Sequence, residues 1–329
     1  MKVLTGVKSL LTAVVAAAGL VALAKPSVEI KNVSLANARD GQVNYSYKVD
    51  GDLEEGKVYD LLIKVSVANG TKSTIVKHES VTVGTVTTNV NVKTLFGKAY
   101  PNVTLFAELK TTPQMDGVQL WEGGPIWADR NVGAESPEET GYYFWWGDTV
   151  GYKRNTANNG WVSVDGKGTI IDFNGNNELA KPTYLKSETQ LKAEGWIDED
   201  NNNLVAEHDA ARVHLGRGWR MPTYEEVQML VANCTQEAAT DWKGTGKAGR
   251  VLRGKGNYST KEIFFPLTGN GLGTNLSSPE KGYFWTSTPT FDAGDHYAWN
   301  IGYTTGALYY YTNIDRFIGL PIRPVKDAE

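Results

Sequence analysis

Few residues in this chain could do covalent or metal chemistry, and their spacing narrows them further. One cysteine, Cys234, and four histidines, His78, His208, His214 and His296, are the soft ligands and nucleophiles available. His208 and His214 stand six apart, which does not set both on one helix face as a metalloprotease pair requires, so zinc is not expected. No Gly-x-Ser-x-Gly elbow and no phosphate-cradling glycine loop occurs. Asp198, Asp200 and Asn202 alternate like the first ligands of a calcium loop. However, Asn203 stands where that loop needs glycine, and Asp209 where it needs a bidentate Glu. A polar turn before a helix is the plainer reading, and calcium is the only cofactor the sequence suggests. Carboxylates are plentiful, but a glycosidase pair normally joins distant segments, so spacing alone cannot select one.

Aromatic residues are the stronger signal. Ten Trp and sixteen Tyr are many for 329 residues, and they cluster after residue 121. Near the C-terminus, Tyr297 to Tyr303 and Leu308 to Ile314 read as two strands joined by Thr304-Thr305-Gly306-Ala307. Trp299, Ile301 and Tyr303 share one face of the first strand. Tyr309, Tyr311, Asn313 and Asp315 share a face of the second, and Tyr310 points the other way. Flat rings with polar tips suit stacking on sugars and on protein hot spots alike. The candidate ligand-binding set is Tyr297, Trp299, Tyr303, Tyr309, Tyr310, Tyr311, Asn313 and Asp315. Burial is the expected fate of Trp285 and Trp299, and solvent exposure that of the Tyr309–Asp315 face, whose composition is that of a paratope.

These residues need elements to hold them. Residues 1–24 read as a signal peptide: Lys2 and Lys8, an apolar run from Leu10 to Leu23 too short for an easy membrane span, and a small-x-small site at Ala22-Leu23-Ala24. No cysteine lies near the cut, so a lipid anchor is not expected. The mature chain is expected to be exported to the periplasm, the cell surface or the medium. Residues 25–111 carry regularly spaced strands, with Val43, Tyr45, Tyr47 and Val49, then Leu61, Ile63, Val65 and Val67, then Val103, Leu105, Ala107 and Leu109 alternating with polar residues. Asp40-Gly41, Asp50-Gly51 and Asn69-Gly70 mark turns between them. This predicts an all-β immunoglobulin-like or fibronectin-like sandwich without a helix. Residues 112–120 are the expected linker. Residues 121–329 predict a loop-rich α+β domain with two short helices. The first runs from about Val205 to Leu215, with Ala206, Ala210 and Val213 inward. The second is capped by Thr223 and Glu226, with Val227, Leu230, Val231 and Cys234 on its apolar stripe. Ile318, Leu320 and Ile322 form one side of a closing strand that Pro321 and Pro324 place at an edge. A lone cysteine excludes an intramolecular disulfide, and a formal charge of −4 argues against a nucleic-acid partner.

Several motifs in order carry a resemblance. They are Trp127-Ala128-Asp129-Arg130-Asn131-Val132-Gly133-Ala134, Gly141-Tyr142-Tyr143-Phe144-Trp145-Trp146-Gly147-Asp148, His208-Asp209-Ala210-Ala211 and Gly218-Trp219-Arg220-Met221-Pro222-Thr223. Three more follow: Ile263-Phe264-Phe265-Pro266-Leu267-Thr268-Gly269, Gly282-Tyr283-Phe284-Trp285-Thr286-Ser287-Thr288 and Gly319-Leu320-Pro321-Ile322-Arg323-Pro324-Val325. Over about residues 121–327 the chain resembles the Fibrobacter succinogenes major paralogous domain of exported bacterial proteins. That domain belongs with the C-type-lectin-like folds, in the formylglycine-generating-enzyme branch. The resemblance implies a compact domain presenting a loop-rich aromatic face. It does not carry that branch's activity, which needs two reactive cysteines where this chain has Cys234 alone. Arg220 and Arg323 sit inside apolar motifs and are expected to organise structure, paired with Asp209 or Glu226.

The expectation is an exported, non-catalytic recognition protein whose aromatic face binds a glycan or a protein. A polysaccharide-acting enzyme with carboxylates in the aromatic groove is the alternative, and a structural surface component is another. A further variant is a C-terminal segment diversified by a retroelement, since Tyr297–Ile318 is rich in Tyr, Asn and Asp. Sequencing the flanking DNA tests that variant: a near-copy of the segment differing mainly at adenines is the expected signature, and its absence rejects the idea.

Overall fold

The computed structural model describes residues 26–37, 41–53, 57–70, 72–78, 80–100, 102–157, 160–216, 218–304 and 308–328. The expected signal peptide lies outside the described residues. The protein is mostly β, with several small antiparallel sheets and a few short helices. It divides into two compact units between Gln114 and Met115.

Strict alternation builds the first unit. Its elements are β1 (Ser27–Asn37), β2 (Gln42–Asp50), β3 (Lys57–Val67), β4 (Lys72–His78), β5 (Gly84–Asn91), helix α1 (Val92–Phe96) and β6 (Val103–Pro113). They form two antiparallel three-stranded sheets, β1–β2–β5 and β4–β3–β6. Val43, Tyr45, Tyr47 and Val49 of β2 and Leu61, Ile63, Val65 and Val67 of β3 are buried in one cluster drawn from both sheets. A period of two turns every second side chain inward, which is why these residues and not their neighbours make the core. The sequence predicts no helix here, and α1 corrects that. The Asn91 side chain accepts from the Thr94 amide and Gly97 ends the helix at φ 77°, so two caps make a turn without apolar periodicity. At the end of β6, Thr112 and Pro113 pair with Val58 and Lys57.

The second unit begins with β7 (Gly117–Gln119), β8 (Ile126–Ala128), β9 (Tyr152–Asn155), β10 (Gly160–Ser163) and β11 (Ile170–Ile171). Helices α2 (Glu188–Ala193), α3 (Ala210–Leu215) and α4 (Tyr224–Asn233) follow. The remaining strands are β12 (Cys234–Ala239), β13 (Gly249–Gly254), β14 (Glu262–Pro266), β15 (Asn270–Leu272), β16 (Asn275–Ser277), β17 (Gly282–Thr290), β18 (Tyr297–Tyr303), β19 (Leu308–Asp315) and β20 (Val325–Lys326). Their sheets are β20–β8–β7, β11–β10–β9, β12–β13–β14, β15–β16 and β17–β18–β19.

The expectation of two helices in this part needs correcting. Helix α2 is an addition, held by a capping box between Ser187 and Gln190 with only Leu191 buried, too short a stripe to read as periodic. The expected Val205–Leu215 helix is split. Asp209 leaves helical geometry, caps α3 through the Arg212 amide, and leaves Ala206–His208 as a separate 3-10 turn. Ala206 and Val213, expected inward, are exposed; Ala210 is buried as expected, and Ala211 and Leu215 are buried with it. Helix α4 starts where the capping box requires: Thr223 Oγ1 accepts from the Glu226 amide at 3.2 Å, and Glu226 Oε2 accepts from the Thr223 amide at 2.8 Å.

Charged side chains tie the segments together. Arg220 makes a two-pronged pair with Glu226 at 2.8 and 2.6 Å and reaches Asp327 at 2.6 Å. Asp209 accepts from the Met221 amide with its second oxygen. Arg323 is fully buried and is not held by a carboxylate. Its Nε donates to Asn131 Oδ1 at 2.7 Å, another nitrogen donates to the Ala128 and Asp129 carbonyls, and its plane lies 4.6 Å from the Phe265 ring centre. Gly282 is needed because a Cβ there would strike the Tyr303 ring.

Two substitutions test this account by urea unfolding. Thr223→Ala removes half of the capping box and is expected to cost about 1 kcal/mol. Gly282→Ala forces a collision inside the core and is expected to cost more, roughly 1–3 kcal/mol.

Candidate functional site

Strands β18 and β19 pair so that Trp299 lies opposite Asn313 and Tyr297 opposite Asp315. Directly opposed residues project to the same side of a sheet. Two consecutive rungs of one face therefore each set an aromatic ring beside an amide or carboxylate. Asn313 is exposed, and Tyr297, Trp299 and Asp315 are half-buried, so Trp299 is less covered than the core position expected for it.

Further along β18 the same face is core. Ile301 and Tyr303 are buried with Val227 and Leu230 of α4. Tyr303, expected among the ligand-contacting residues, is 1% exposed, and its hydroxyl donates to the Pro266 carbonyl. Helix α4 packs across this half of the strand, so Tyr303 leaves the candidate set. Trp285 is also buried, its indole N–H donating to the Phe144 carbonyl at 2.9 Å. The backbone of residues 308–312 runs in β19, but the register shifts between the Asn300–Thr312 and Gly302–Tyr309 pairs, so Tyr309 falls out of step with Asn313 and the expected unbroken alternation from Tyr309 to Asp315 is corrected; the rings of Tyr309, Tyr310 and Tyr311 lie outside the described residues.

Three residues absent from the sequence-based set join the face. Tyr224, the first residue of α4, stacks on Trp299 with ring centres 4.2 Å apart and planes 16° from parallel. The capping box fixes where α4 starts, and the Tyr224 amide donates to Thr288 Oγ1 of β17 at 3.0 Å. His296 lies against Tyr297 at 4.0 Å, with its Nε2 3.7 Å from Asp315 Oδ1. Tyr184 meets His296 edge-on at 6.0 Å. Its segment is held by Arg316, which is fully buried. One Arg316 nitrogen donates to the Thr183 and Lys186 carbonyls, and Nε donates to the Tyr297 carbonyl at 2.8 Å. Trp146 and Phe291 flank the guanidinium at 5.3 and 5.2 Å. The only sequence signal for Tyr224 was its place behind the cap. Tyr184 and His296 come from segments whose meeting no local pattern encodes.

Burial raises the Asp315 carboxyl above its ordinary range, and the neighbouring His296 acts against that. The same burial, with Asp315 and Tyr297 nearby, raises the Tyr184 phenol. What this face can do is stack and hydrogen-bond, with Asn313 as donor and acceptor and Asp315 as acceptor.

Other sequence candidates are engaged elsewhere. Asp198 Oδ1 accepts from the Asp200 and Asn201 amides, and Asn202 sits at φ 57° in the same turn. Asn203 Oδ1 accepts from the Ser287 and Thr288 hydroxyls. Among the described residues no group of three or more His, Cys, Asp or Glu could hold a metal ion. His208 stacks on Trp196 at 3.7 Å, His214 hydrogen-bonds the Thr149 carbonyl, and His78 meets the Tyr45 hydroxyl at 2.9 Å. Cys234 is buried at the α4–β12 junction, and burial pushes its thiol up to about 11. No family model, curated protein or solved structure matches this chain. Among the described residues no helix is long and apolar enough to cross a membrane.

One carboxyl away from the face has a marked shift. Burial pushes Asp148 up to about 6, opposed by the Val150 and Thr149 amides. An unfolded Asp titrates near ~3.9, so between these values the folded protein holds a proton that the unfolded chain has lost. Stability from this group is therefore complete below about pH 4 and is lost as pH rises through 6, by roughly 2–3 kcal/mol. Asp148→Asn keeps the acceptor oxygen and removes the buried charge. Urea unfolding is expected to show the variant more stable than the parent at pH 7 and equal to it near pH 4.

Proposed function

We propose that this is an exported recognition protein that binds a carbohydrate or protein ligand, without catalysis, through the aromatic face of its second unit. The observation that carries this reading is the pair of adjacent rungs, Trp299 with Asn313 and Tyr297 with Asp315, flanked by Tyr224 and His296. Rings fixed by stacking lose little freedom on binding, and the exposed Asn313 amide and half-buried Asp315 carboxylate give direction to the contact. Export rests on the basic start and short apolar run of residues 1–24.

The first unit is read as an immunoglobulin-like sandwich, supported by two small sheets sharing one core. The second is read as a C-type-lectin-like domain of the Fibrobacter succinogenes major paralogous kind. In support, motifs far apart in sequence meet in space. Arg323 binds Asn131, Arg220 bridges Val325, and Phe144 bridges Leu320. A glycan or protein partner outside the cell follows from these readings together.

A glycan array and a pull-down on the full chain test the proposal. Replacing Tyr309, Tyr311 and Asn313 together with Ala is expected to abolish binding while leaving the melting temperature nearly unchanged. Retained binding rejects the face as the site, and a collapse in melting temperature assigns those side chains to the interior.

A further inference from the structure

We infer that the ligand class is a neutral saccharide of at least two rings, bound directly by the two rungs of the β18–β19 face. This rests on the recognition reading above and narrows it. Successive same-face rungs lie about 7 Å apart at the usual rise of about 3.4 Å per residue. The face thus repeats one unit, an aromatic plate with a hydrogen-bonding side chain beside it, twice along the strand. A sugar ring has the matching construction: an apolar C–H face and a rim of hydroxyls. Trp299 and Tyr297 meet the faces with the sides that Tyr224 and His296 leave uncovered, and Asn313 and Asp315 meet the rims.

Each plate already has one side packed within the protein. Tyr224 stacks on Trp299 at one end, and His296 and Tyr184 gather at Tyr297 and Asp315 at the other. Two rungs therefore make a short site that is rigid before a ligand arrives. The chemistry of the rims also selects. Asn313 offers both a donor and an acceptor, whereas ionised Asp315 only accepts and so needs a hydroxyl facing it. Asp292 and Asp295 are exposed in the loop that leads into His296. Buried Arg316 offsets part of the Asp295 charge and His296 faces Asp315, but the solvent-facing charged side chains here are acidic and work against a uronate or sulfated sugar. A protein ligand, in contrast, draws most of its affinity from anchors in fully desolvated pockets, and a half-exposed ledge is not one.

The test is affinity electrophoresis of the full chain in neutral polysaccharides (mannan, xylan, β-glucan) and in uronate polymers (polygalacturonate, alginate), with and without EDTA. The expected result is retardation by at least one neutral polymer, by neither uronate polymer, and unchanged by EDTA. Asn313→Ala is expected to weaken binding at least tenfold with an unchanged melting temperature. Asp315→Asn, which restores a donor and removes the charge, is expected to admit the uronate polymers. Preference of the parent chain for uronates, loss of binding in EDTA, or indifference to Asn313→Ala overturns the inference. If no saccharide binds but a protein is captured in an Asn313-dependent way, the inference falls and the recognition reading stands. If nothing binds at all, both fall.

Discussion

Interior carbonyls of loops and strand ends must find donors, and in the second unit two buried guanidiniums supply them. Arg323 satisfies carbonyls of Ala128 and Asp129 and the side chain of Asn131. Arg316 satisfies those of Thr183, Lys186 and Tyr297. Desolvation opposes both charges and pushes each guanidinium down to about 10. Aromatic faces and oxygen acceptors offset that penalty, and the carboxylates of Asp295 and Asp129 act on Arg316 and Arg323 without hydrogen-bonding them. Arg220 is the contrast: mostly buried, it is neutralised by Glu226 and Asp327, and its affinity for the proton rises. The placement of the Tyr184 segment beside Tyr297, and hence of the candidate face, follows from Arg316.

That face shows how one strand serves two purposes. Along β18, Ile301 and Tyr303 are core because α4 lies over them, while Trp299 and Tyr297 emerge where the helix begins. The boundary is set by a few hydrogen bonds. Thr223 and Glu226 decide the first residue of α4, and Thr288 holds that residue to β17. A helix starting one turn earlier would cover the Trp299 rung as well.

The sequence was most legible where one local rule decides the outcome. Alternation in β2 and β3 identified the buried residues of the first unit, and the pattern Thr223–Glu226 identified the start of α4. It was least legible where a side chain chooses between two local options or meets a distant one. Asp209 caps a new helix instead of continuing an old one, which turned Val213 outward. Tyr303 alternates correctly with Trp299 yet is covered by an element encoded far upstream. Arg316 gave no local sign of its importance, because two of its three acceptors lie in a segment more than a hundred residues away.

Cys234 has a consequence of its own. Its thiol is sequestered where α4 meets β12, and it is the only sulfhydryl in the chain. A modifying reagent in solution can reach it only when that junction comes apart, so the rate of its alkylation is a built-in gauge of how often the second unit opens.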